Sequence, residues 1–253
     1  MLASTVGALS LPQVADAGPP ADPCKKSGEI VVIEWDAINA AAAEFGLSPE
    51  GEFLLSWLEF EDFCDGATND NTGFILVNGT TSNNDLAVRT DRLGEHLRWA
   101  VDLNEGQDSF SFLGTPGRDF HHFATVTTDQ GDVQTFSYLR NRTPVGDLFG
   151  VELGGARGLG GRDLAWGGFE ESYAPTVAAA ESGGGTSPAK IPLLFKGGSG
   201  NDNIVGGKGG DTLVGSAGDD RIDGEGGKDK IKGGGGDDRC KGGPGKDKVK
   251  SCE

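Results

Sequence analysis

Residues 197–250 repeat one nine-residue pattern six times, and this feature constrains the fold more than any other in the chain. Every copy has glycine at the fourth place, aspartate at the sixth and an apolar residue at the eighth. The six copies are GGSGNDNIV, GGKGGDTLV, GSAGDDRID, GEGGKDKIK, GGGGDDRCK and GGPGKDKVK. A strict period of this kind predicts a stack of similar structural units, each in contact with its neighbours.

The repeats are too poor in apolar side chains to fold by hydrophobic burial alone. Roughly one residue in three is glycine, and ordering glycine costs more conformational entropy than ordering any other residue. Carboxylates that recur beside glycine turns are hard oxygen ligands, which suit Ca²⁺ better than a soft metal. The sequence therefore predicts that bound calcium supplies the missing stabilisation.

The pattern G-G-x-G-x-D-x-U-x resembles the RTX calcium-binding nonapeptide repeat family. This resemblance implies a flattened parallel β-roll in which each ion lies between one turn and the turn two copies later. Backbone carbonyl oxygens and the sixth-place aspartates of both turns would hold the ion, so six copies give about four ions. The implied ligands are Asp202, Asp211, Asp220, Asp229, Asp238 and Asp247, with Gly198, Gly200, Gly207, Gly209, Gly218, Gly227, Gly236 and Gly245.

Two copies depart from the pattern at the second place, where Ser216 and Glu225 replace glycine. A side chain is tolerated there only if φ stays negative, so these turns are expected to be strained or to bind more weakly. The alternative for the whole segment is a disordered tail rich in glycine, aspartate and lysine. Six copies in register, each with its aspartate in place, favour the calcium-binding roll.

Charge excludes several classes of partner. The 253 residues include 22 Lys and Arg against 39 Asp and Glu, a net charge of −17. This balance opposes binding to nucleic acid or to an anionic membrane surface. The apolar runs are all too short for a membrane span. Calcium ions are the only partners that the sequence indicates.

Composition divides the chain into four segments. Residues 1–23 are expected to be a signal-peptide remnant or a flexible arm, because their Ala-Asp-Ala motif resembles a signal-peptidase site. Residues 24–173 lack the nonapeptide pattern and are expected to form a β-rich domain of unknown role. Residues 174–190 have small side chains and no periodic pattern of apolar residues, which is typical of a linker. Residues 191–253 form the predicted roll.

The four cysteines indicate an oxidising compartment. An even number of cysteines without a C-x-x-C pair, beside a calcium module, is typical of secreted extracellular proteins, here expected to be bacterial. Three pairings are possible, and the local one is favoured, which joins Cys24 to Cys64 and Cys240 to Cys252. Free buried thiols are the alternative.

Residues 24–173 contain short apolar runs about ten residues apart, which predicts an antiparallel sandwich or barrel. Helix-start and helix-stop signals predict a short helix over residues 37–45 and a second one beginning at Ser48. The predicted fold class is therefore mainly all-β, with one or two short helices in the first domain and a parallel roll after it.

Catalytic motifs are scarce. Neither H-E-x-x-H nor G-x-S-x-G occurs. The acidic run Glu59, Glu61, Asp62 and Asp65 could hold a glycosidase pair, although a solvated edge is the simpler interpretation. His121 and His122 are interpreted as partly buried polar residues. The segments 114–119 and 158–163 each resemble half a nonapeptide, and plain loops are favoured over extra ion sites.

The sequence thus predicts a secreted calcium-binding protein whose repeats fold on binding Ca²⁺ and stabilise the exported chain. The sequence leaves open whether the chain is an enzyme, and the scarcity of catalytic motifs argues against it. Two other functions stay open at this point. One is an extracellular hydrolase with its chemistry in residues 24–173, and the other is an adhesin or carbohydrate-binding module that uses Trp57, Trp99 or Trp166.

Overall fold

Strands make up nearly all of the regular structure. The computed structural model describes residues 22–38, 40–58, 60–128, 131–138, 145–158, 160–168 and 186–252. Strands account for 56% of the chain and helix for 1%, so the predicted all-β class is confirmed. The proposed signal-peptide remnant, except its last two residues, and residues 174–185 of the predicted linker lie outside the described residues.

The first twelve strands are β1 (Cys24–Ser27), β2 (Ile30–Glu34), β3 (Ala42–Leu47), β4 (Glu52–Trp57), β5 (Phe60–Thr68), β6 (Phe74–Asn78), β7 (Asp85–Arg89), β8 (Arg98–Asp102), β9 (Ser109–Leu113), β10 (Phe120–Thr128), β11 (Gly131–Ser137) and β12 (Gly146–Phe149). The others are β13 (Leu153–Arg157), β14 (Leu164–Trp166), β15 (Thr186–Pro188), β16 (Leu193–Ser199), β17 (Asn203–Val205), β18 (Thr212–Ala217), β19 (Arg221–Asp223), β20 (Lys230–Gly235), β21 (Arg239–Lys241) and β22 (Lys248–Lys250). One 3₁₀ helix spans Trp35–Ala37.

These strands form two sheets. Sheet A has the order β1-β2-β6-β8-β12-β11-β10-β14-β17-β19-β21, with β15 also paired to β10. Sheet B has the order β22-β20-β18-β16-β13-β9-β7-β3-β4-β5. From β6 to β9 the chain alternates between the sheets, and each strand lies beside an earlier strand of its sheet. Strands β10, β11 and β12 then stay in sheet A, where β12 pairs with β8, before the chain returns to sheet B at β13. Between β16 and β22 every strand changes sheet, which is the arrangement that the RTX resemblance implies.

Strand direction in the first domain differs from the expected antiparallel arrangement. The pairs β2–β6, β6–β8, β8–β12, β3–β7, β7–β9 and β9–β13 are parallel. Antiparallel pairs are confined to β1–β2, the β3–β4–β5 meander, β10–β11–β12 and the β10–β15 pair. The predicted antiparallel direction was wrong. Apolar runs ten residues apart occur both in an antiparallel meander and in a coil whose strands alternate between two parallel sheets, so the spacing does not distinguish the two.

The predicted helices are replaced by strands and turns. Only the 3₁₀ helix stands near the expected helix at 37–45, and residues 42–47 form β3, which buries Phe45 completely. The alanine run favours helix locally, but pairing with β4 and β7 overrides this preference. Ser48 begins a turn, in which its carbonyl accepts a hydrogen bond from Gly51 N at 3.0 Å.

Both sheets continue across the predicted linker. Strand β13 pairs with β16 in sheet B, and β14 pairs with β17 in sheet A, in each case in parallel. Strand β15, inside the predicted linker, pairs with β10. The described strands of residues 24–173 and of residues 191–252 therefore belong to the same two sheets.

The core between the two sheets changes in composition from the β1 and β5 edges to the β21 and β22 edges. Its upstream part is rich in fully buried phenylalanine, such as Phe110, Phe112 and Phe136. Downstream, the buried apolar side chains are mainly those of the eighth place, such as Leu213 or Ile231, and the last of them, Val249, is 44% exposed. Because hydrophobic stabilisation scales with the apolar area that is buried, the upstream part receives far more of it than the repeats.

One disulfide joins the two sheets at each end of the stack. Cys24 in edge strand β1 of sheet A is bonded to Cys64 in edge strand β5 of sheet B. At the other end, Cys240 in edge strand β21 is bonded to Cys252, two residues after edge strand β22. This is the local pairing that the sequence favours. Each bond restrains the terminal strands, which have a neighbour on one side only.

Replacing Cys24 and Cys64 together by alanine should lower the free energy of unfolding by about 4 kcal/mol, because the bond closes a loop with a sequence separation of 40. Replacing Cys240 and Cys252 should lower it by about 3 kcal/mol, since their separation is 12. Urea unfolding of both variants at saturating calcium measures the difference. A larger loss for the second pair would contradict the loop-entropy explanation.

Candidate metal centre

The turns of the repeats stack in two columns. A turn that precedes a sheet A strand lies above the next turn of the same kind, eighteen residues later, and turns before sheet B strands stack likewise. The sixth-place aspartates thereby form two rows. We name them the sheet A ladder, which contains Asp202, Asp220 and Asp238, and the sheet B ladder, which contains Asp211, Asp229 and Asp247.

Hydrogen bonds connect the aspartates within each ladder. In the sheet A ladder, the amide of Asp202 donates to Asp220 Oδ1 at 2.9 Å, and the amide of Asp220 donates to Asp238 Oδ1 at 3.0 Å. In the sheet B ladder, the amide of Asp211 donates to Asp229 Oδ1 at 2.9 Å, and that of Asp229 to Asp247 Oδ1 at 3.0 Å. One carboxylate oxygen of each acceptor is thus fixed by the preceding turn.

The second carboxylate oxygen is mostly left without a partner. Among the described residues, Oδ2 of Asp202, Asp220, Asp229 and Asp238 is buried and accepts no hydrogen bond. These four side chains are at most 3% exposed. Asp211 differs, because its Oδ2 accepts a hydrogen bond from Gly207 N at 2.7 Å. A buried carboxylate oxygen without a donor is costly unless a cation compensates it.

Burial also changes the proton affinity of the ladder carboxylates. It raises the pKa of Asp220 to about 6 and that of Asp211 to about 7, although backbone hydrogen bonds oppose the shift. Negative neighbours in the same ladder raise both values further. Within the described part of the chain, no lysine or arginine forms a salt bridge with a ladder aspartate. The described side chains therefore supply no positive charge in direct contact with the ladders.

Backbone carbonyls approach the unpartnered carboxylates at the first-place glycines. The point where a Cβ on Gly197 would lie is 2.0 Å from Asp202 Oδ2 and 2.8 Å from the carbonyl oxygen of Gly215. The same point at Gly224 is 2.5 Å from both Asp229 Oδ2 and the Gly242 oxygen. Carboxylate and carbonyl oxygens from successive turns are therefore neighbours, and only glycine leaves room for them.

The fourth-place glycines form a second set of close contacts. A Cβ on Gly218 would lie 1.9 Å from the Gly200 oxygen, and one on Gly245 would lie 1.6 Å from the Gly227 oxygen. Gly209 and Gly236 occupy the corresponding places. In the described residues, no three His, Cys, Asp or Glu side chains converge on one point. An ion in these turns would take two carboxylates and complete its roughly six to eight oxygen ligands with carbonyls and water, which suits Ca²⁺.

The backbone at the second place of the third and fourth repeats differs from the expected conformation. Ser216 and Glu225 adopt φ values of 96° and 62°, whereas the sequence required negative values. They occupy the place that Gly198 takes in the first copy with a φ of 108°. The turn geometry thus overrides the steric preference of both side chains, and each costs about 1–2 kcal/mol in strain.

Two turns outside the repeats belong to the sheet A ladder. The amide of Asp119 donates to Asp163 Oδ1 at 2.9 Å, and the amide of Asp163 donates to Asp202 Oδ1 at 2.8 Å. The half-nonapeptides at 114–119 and 158–163 are therefore in line with the repeats, whereas the sequence favoured isolated loops. His121 pairs in register with Ala165, and Ala165 pairs in register with Ile204, which is at the eighth place of the pattern. Residues 114–122 and 158–166 thus carry the first- and fourth-place glycines, the aspartate and the inward residue of the nonapeptide at the correct spacing. This spacing is the sequence feature that could have identified both turns as part of the stack.

The other candidate residues have structural contacts. His121 is stacked on Phe112 with ring centroids 4.8 Å apart, and burial lowers its pKa to about 3. His122 is buried as well. Asp62 Oδ2 accepts a hydrogen bond from Cys24 N, and Asp65 Oδ2 accepts one from Lys26 N, so both carboxylates connect β5 to β1.

Asp62 of the acidic run and two of the tryptophans also have structural surroundings. Burial, and then Asp22, raises the pKa of Asp62 to about 6. Glu59 lies outside the described residues. Trp99 is only 3% exposed, so it cannot form a binding platform. Trp57 stacks on Phe60 with centroids 6.0 Å apart.

A stack of parallel turns with buried carboxylate ladders and inward carbonyls defines a cation-binding repeat. Residues 196–231 and 221–249 match the family model of the RTX calcium-binding nonapeptide repeat (4 copies). The carboxy-terminal segment is therefore made of RTX calcium-binding repeats. No curated protein and no solved structure matches the chain. None of the helices in the described ranges has the length and apolar character needed to span a bilayer.

Proposed function

We propose that this protein is secreted and that its repeats bind about four Ca²⁺ ions, which order and stabilise the exported chain. The supporting observation is the set of buried ladder oxygens without a hydrogen-bond donor or salt bridge. Each divalent ion would compensate the negative charge of the carboxylates that flank it, and Asp220 and Asp229 would each be shared by two ions. No observation favours the hydrolase or the adhesin, and both stay predictions.

The ions would lie between successive aspartates of each ladder. Within the repeats, each ladder has three aspartates and therefore two gaps. The proposed pairs of carboxylate ligands are Asp202 with Asp220, Asp220 with Asp238, Asp211 with Asp229, and Asp229 with Asp247.

Two features support an extracellular location. Both pairs of cysteines form disulfides, which persist in oxidising compartments. Extracellular calcium modules bind with dissociation constants of roughly 0.1–1 mM, so they are occupied outside the cell and empty at cytosolic calcium levels. A chain exported with open ladders would gain its ions, and the stability that they give, on arrival.

Equilibrium dialysis of the full chain tests this function. Protein stripped with a chelator and dialysed against about 10 mM Ca²⁺, a concentration at least tenfold above those dissociation constants, should retain about four ions per chain or more, measured by atomic emission. Mg²⁺ at the same concentration should not replace them, because it requires a small octahedral site and gives up its water reluctantly. A chain that retains no calcium under these conditions would overturn the proposal.

Calcium affinity should rise with pH between about 5 and 8, because calcium must displace protons from carboxyls whose pKa burial raises to about 6 and 7. The sign for folding is the opposite. Below about pH 4 these carboxyls are protonated in both the folded and the unfolded chain, so the raised pKa costs no stability. The cost grows as pH rises from about 4 to the folded pKa values of about 6 and 7 and is constant above them, so without calcium the ladders are least stable at neutral pH and above. Calorimetric titrations at both ends of the range measure the affinity, and equal affinities would contradict this explanation.

A further inference from the structure

The family match begins at residue 196, but the ladder geometry begins earlier. Asp163 is 6% exposed and belongs to a turn outside the match. Its Oδ1 accepts the hydrogen bond from Asp119, and its backbone amide donates to Asp202. Asp163 is therefore held between its neighbours as Asp202 and Asp220 are between theirs.

The free oxygen of Asp163 has the same surroundings as those in the repeats. Its Oδ2 is buried and accepts no hydrogen bond from any described residue. The point where a Cβ on Gly158 would lie is 2.1 Å from this oxygen and 2.1 Å from the carbonyl oxygen of Gly197. A carboxylate oxygen and a carbonyl oxygen of successive turns are again adjacent, as they are at Gly197 with Asp202.

The fourth-place glycines continue the pattern as well. Gly161 has a φ of 103°, close to the values of 123° at Gly200 and 128° at Gly218. The Gly161 oxygen lies 1.4 Å from the point that a Cβ on Gly200 would occupy. Carbonyl oxygens therefore enter the gap between these two turns as they do between turns of the repeats.

We propose that the gap between the turns ending at Asp163 and Asp202 is a further Ca²⁺ site, held by both carboxylates and by carbonyl oxygens of the two turns. This inference rests on the proposed function, since it assigns to a fifth gap the chemistry of the other four. It makes the arrangement asymmetric, with three sites along sheet A and two along sheet B. It also makes calcium a direct link between β14, outside the family match, and β17 inside it.

The proposed calcium sites begin at Asp163 in sheet A and at Asp211 in sheet B, because the turn upstream differs from the repeats in each sheet. Both oxygens of Asp119 have a donor within their own turn, because Thr115 N donates to Oδ2 at 2.6 Å and Thr115 Oγ1 donates to Oδ1 at 3.1 Å. The Oδ2 of Asp211 also accepts an amide of its own turn, but its Oδ1 accepts the amide of Leu193 from the stacked chain, as in the other ladder aspartates. In sheet B, the residue whose amide donates to Asp211 is Leu193, which has no carboxylate. In sheet A, the next gap upstream is therefore bordered by Asp163 and by Asp119, whose side chain is hydrogen-bonded within its own turn. In sheet B, the next gap upstream lacks a second carboxylate.

Counting bound calcium in two variants of the full chain tests the site. Asp163→Asn keeps the oxygen that accepts from Asp119 but removes the charge, and it should retain one ion fewer than the wild type in equilibrium dialysis. Asp119→Asn is the matched control and should retain the wild-type number. If Asp163→Asn binds as many ions as the wild type, the further site is wrong while the proposed function stands. If the wild type binds none, the proposed function itself fails.

Hydrogen exchange of the wild-type chain, with and without calcium, tests the same site without a variant and therefore applies even if Asp163→Asn does not fold. Calcium should slow amide exchange in a peptide covering residues 160–168 and leave a peptide covering residues 114–119 unchanged. Slowing confined to residues downstream of 196 would overturn the further site.

Discussion

Removal of calcium should unfold residues 197–252 while residues 24–157 stay folded. Occupancy at 100 times the dissociation constant stabilises a folded chain by about 2.7 kcal/mol per site, so four sites supply about 11 kcal/mol. That is comparable with the whole stability of an ordinary domain. The repeats have little to replace it, because no copy buries more than two apolar side chains, whereas the upstream core contains phenylalanine rings in contact, such as Phe110 and Phe136.

Hydrogen exchange with mass spectrometry on the full chain measures this difference. With a chelator, amides of β18–β22 should lose their protection, and amides of β6–β9 should keep it and serve as the internal control. Circular dichroism should show a matching loss of strand signal that returns when calcium is restored. Repeats that stay protected in excess chelator would show that the ladders are stable without ions.

The two parts of the chain differ in how far the sequence could predict them. In the repeats, a fixed spacing places Asp202, Asp220 and Asp238 one coil apart, so the period alone gives the register. In the upstream part the coils vary in length. Asp119 and Asp163 are neighbours in the ladder although 44 residues separate them, because β11, β12 and β13 intervene. Periodicity cannot reveal a coil whose length changes.

Local preference failed where pairing partners decide the conformation. The alanine-rich stretch before Phe45 favours helix when judged by its own residues, yet β4 and β7 flank it in sheet B. Ser216 and Glu225 take positive φ because the turns above and below them fix the backbone. In each case the deciding contacts come from residues distant in sequence, which composition and spacing do not identify.

Asp220→Asn should remove two ions, and Asp238→Asn should remove one. Asp220 lies between two gaps of the sheet A ladder, whereas Asp238 is the last aspartate of that ladder and borders one gap. Asparagine preserves an acceptor for the amide of Asp202 or Asp220, so the hydrogen bonds at 2.9 and 3.0 Å remain possible and only the charge is lost. At saturating calcium, the loss of stabilisation should therefore be about twice as large for Asp220→Asn, near 5 against 3 kcal/mol.

The sheet B ladder supplies an independent copy of this comparison. Asp229 borders two gaps and Asp247 borders one, so Asp229→Asn and Asp247→Asn should repeat the two-to-one ratio in bound calcium. The ratio follows from ions shared between successive turns, because a site built within a single turn would lose one ion for any aspartate. Equal losses for the inner and terminal aspartates of both ladders would therefore contradict shared sites, even if the total number of ions were correct.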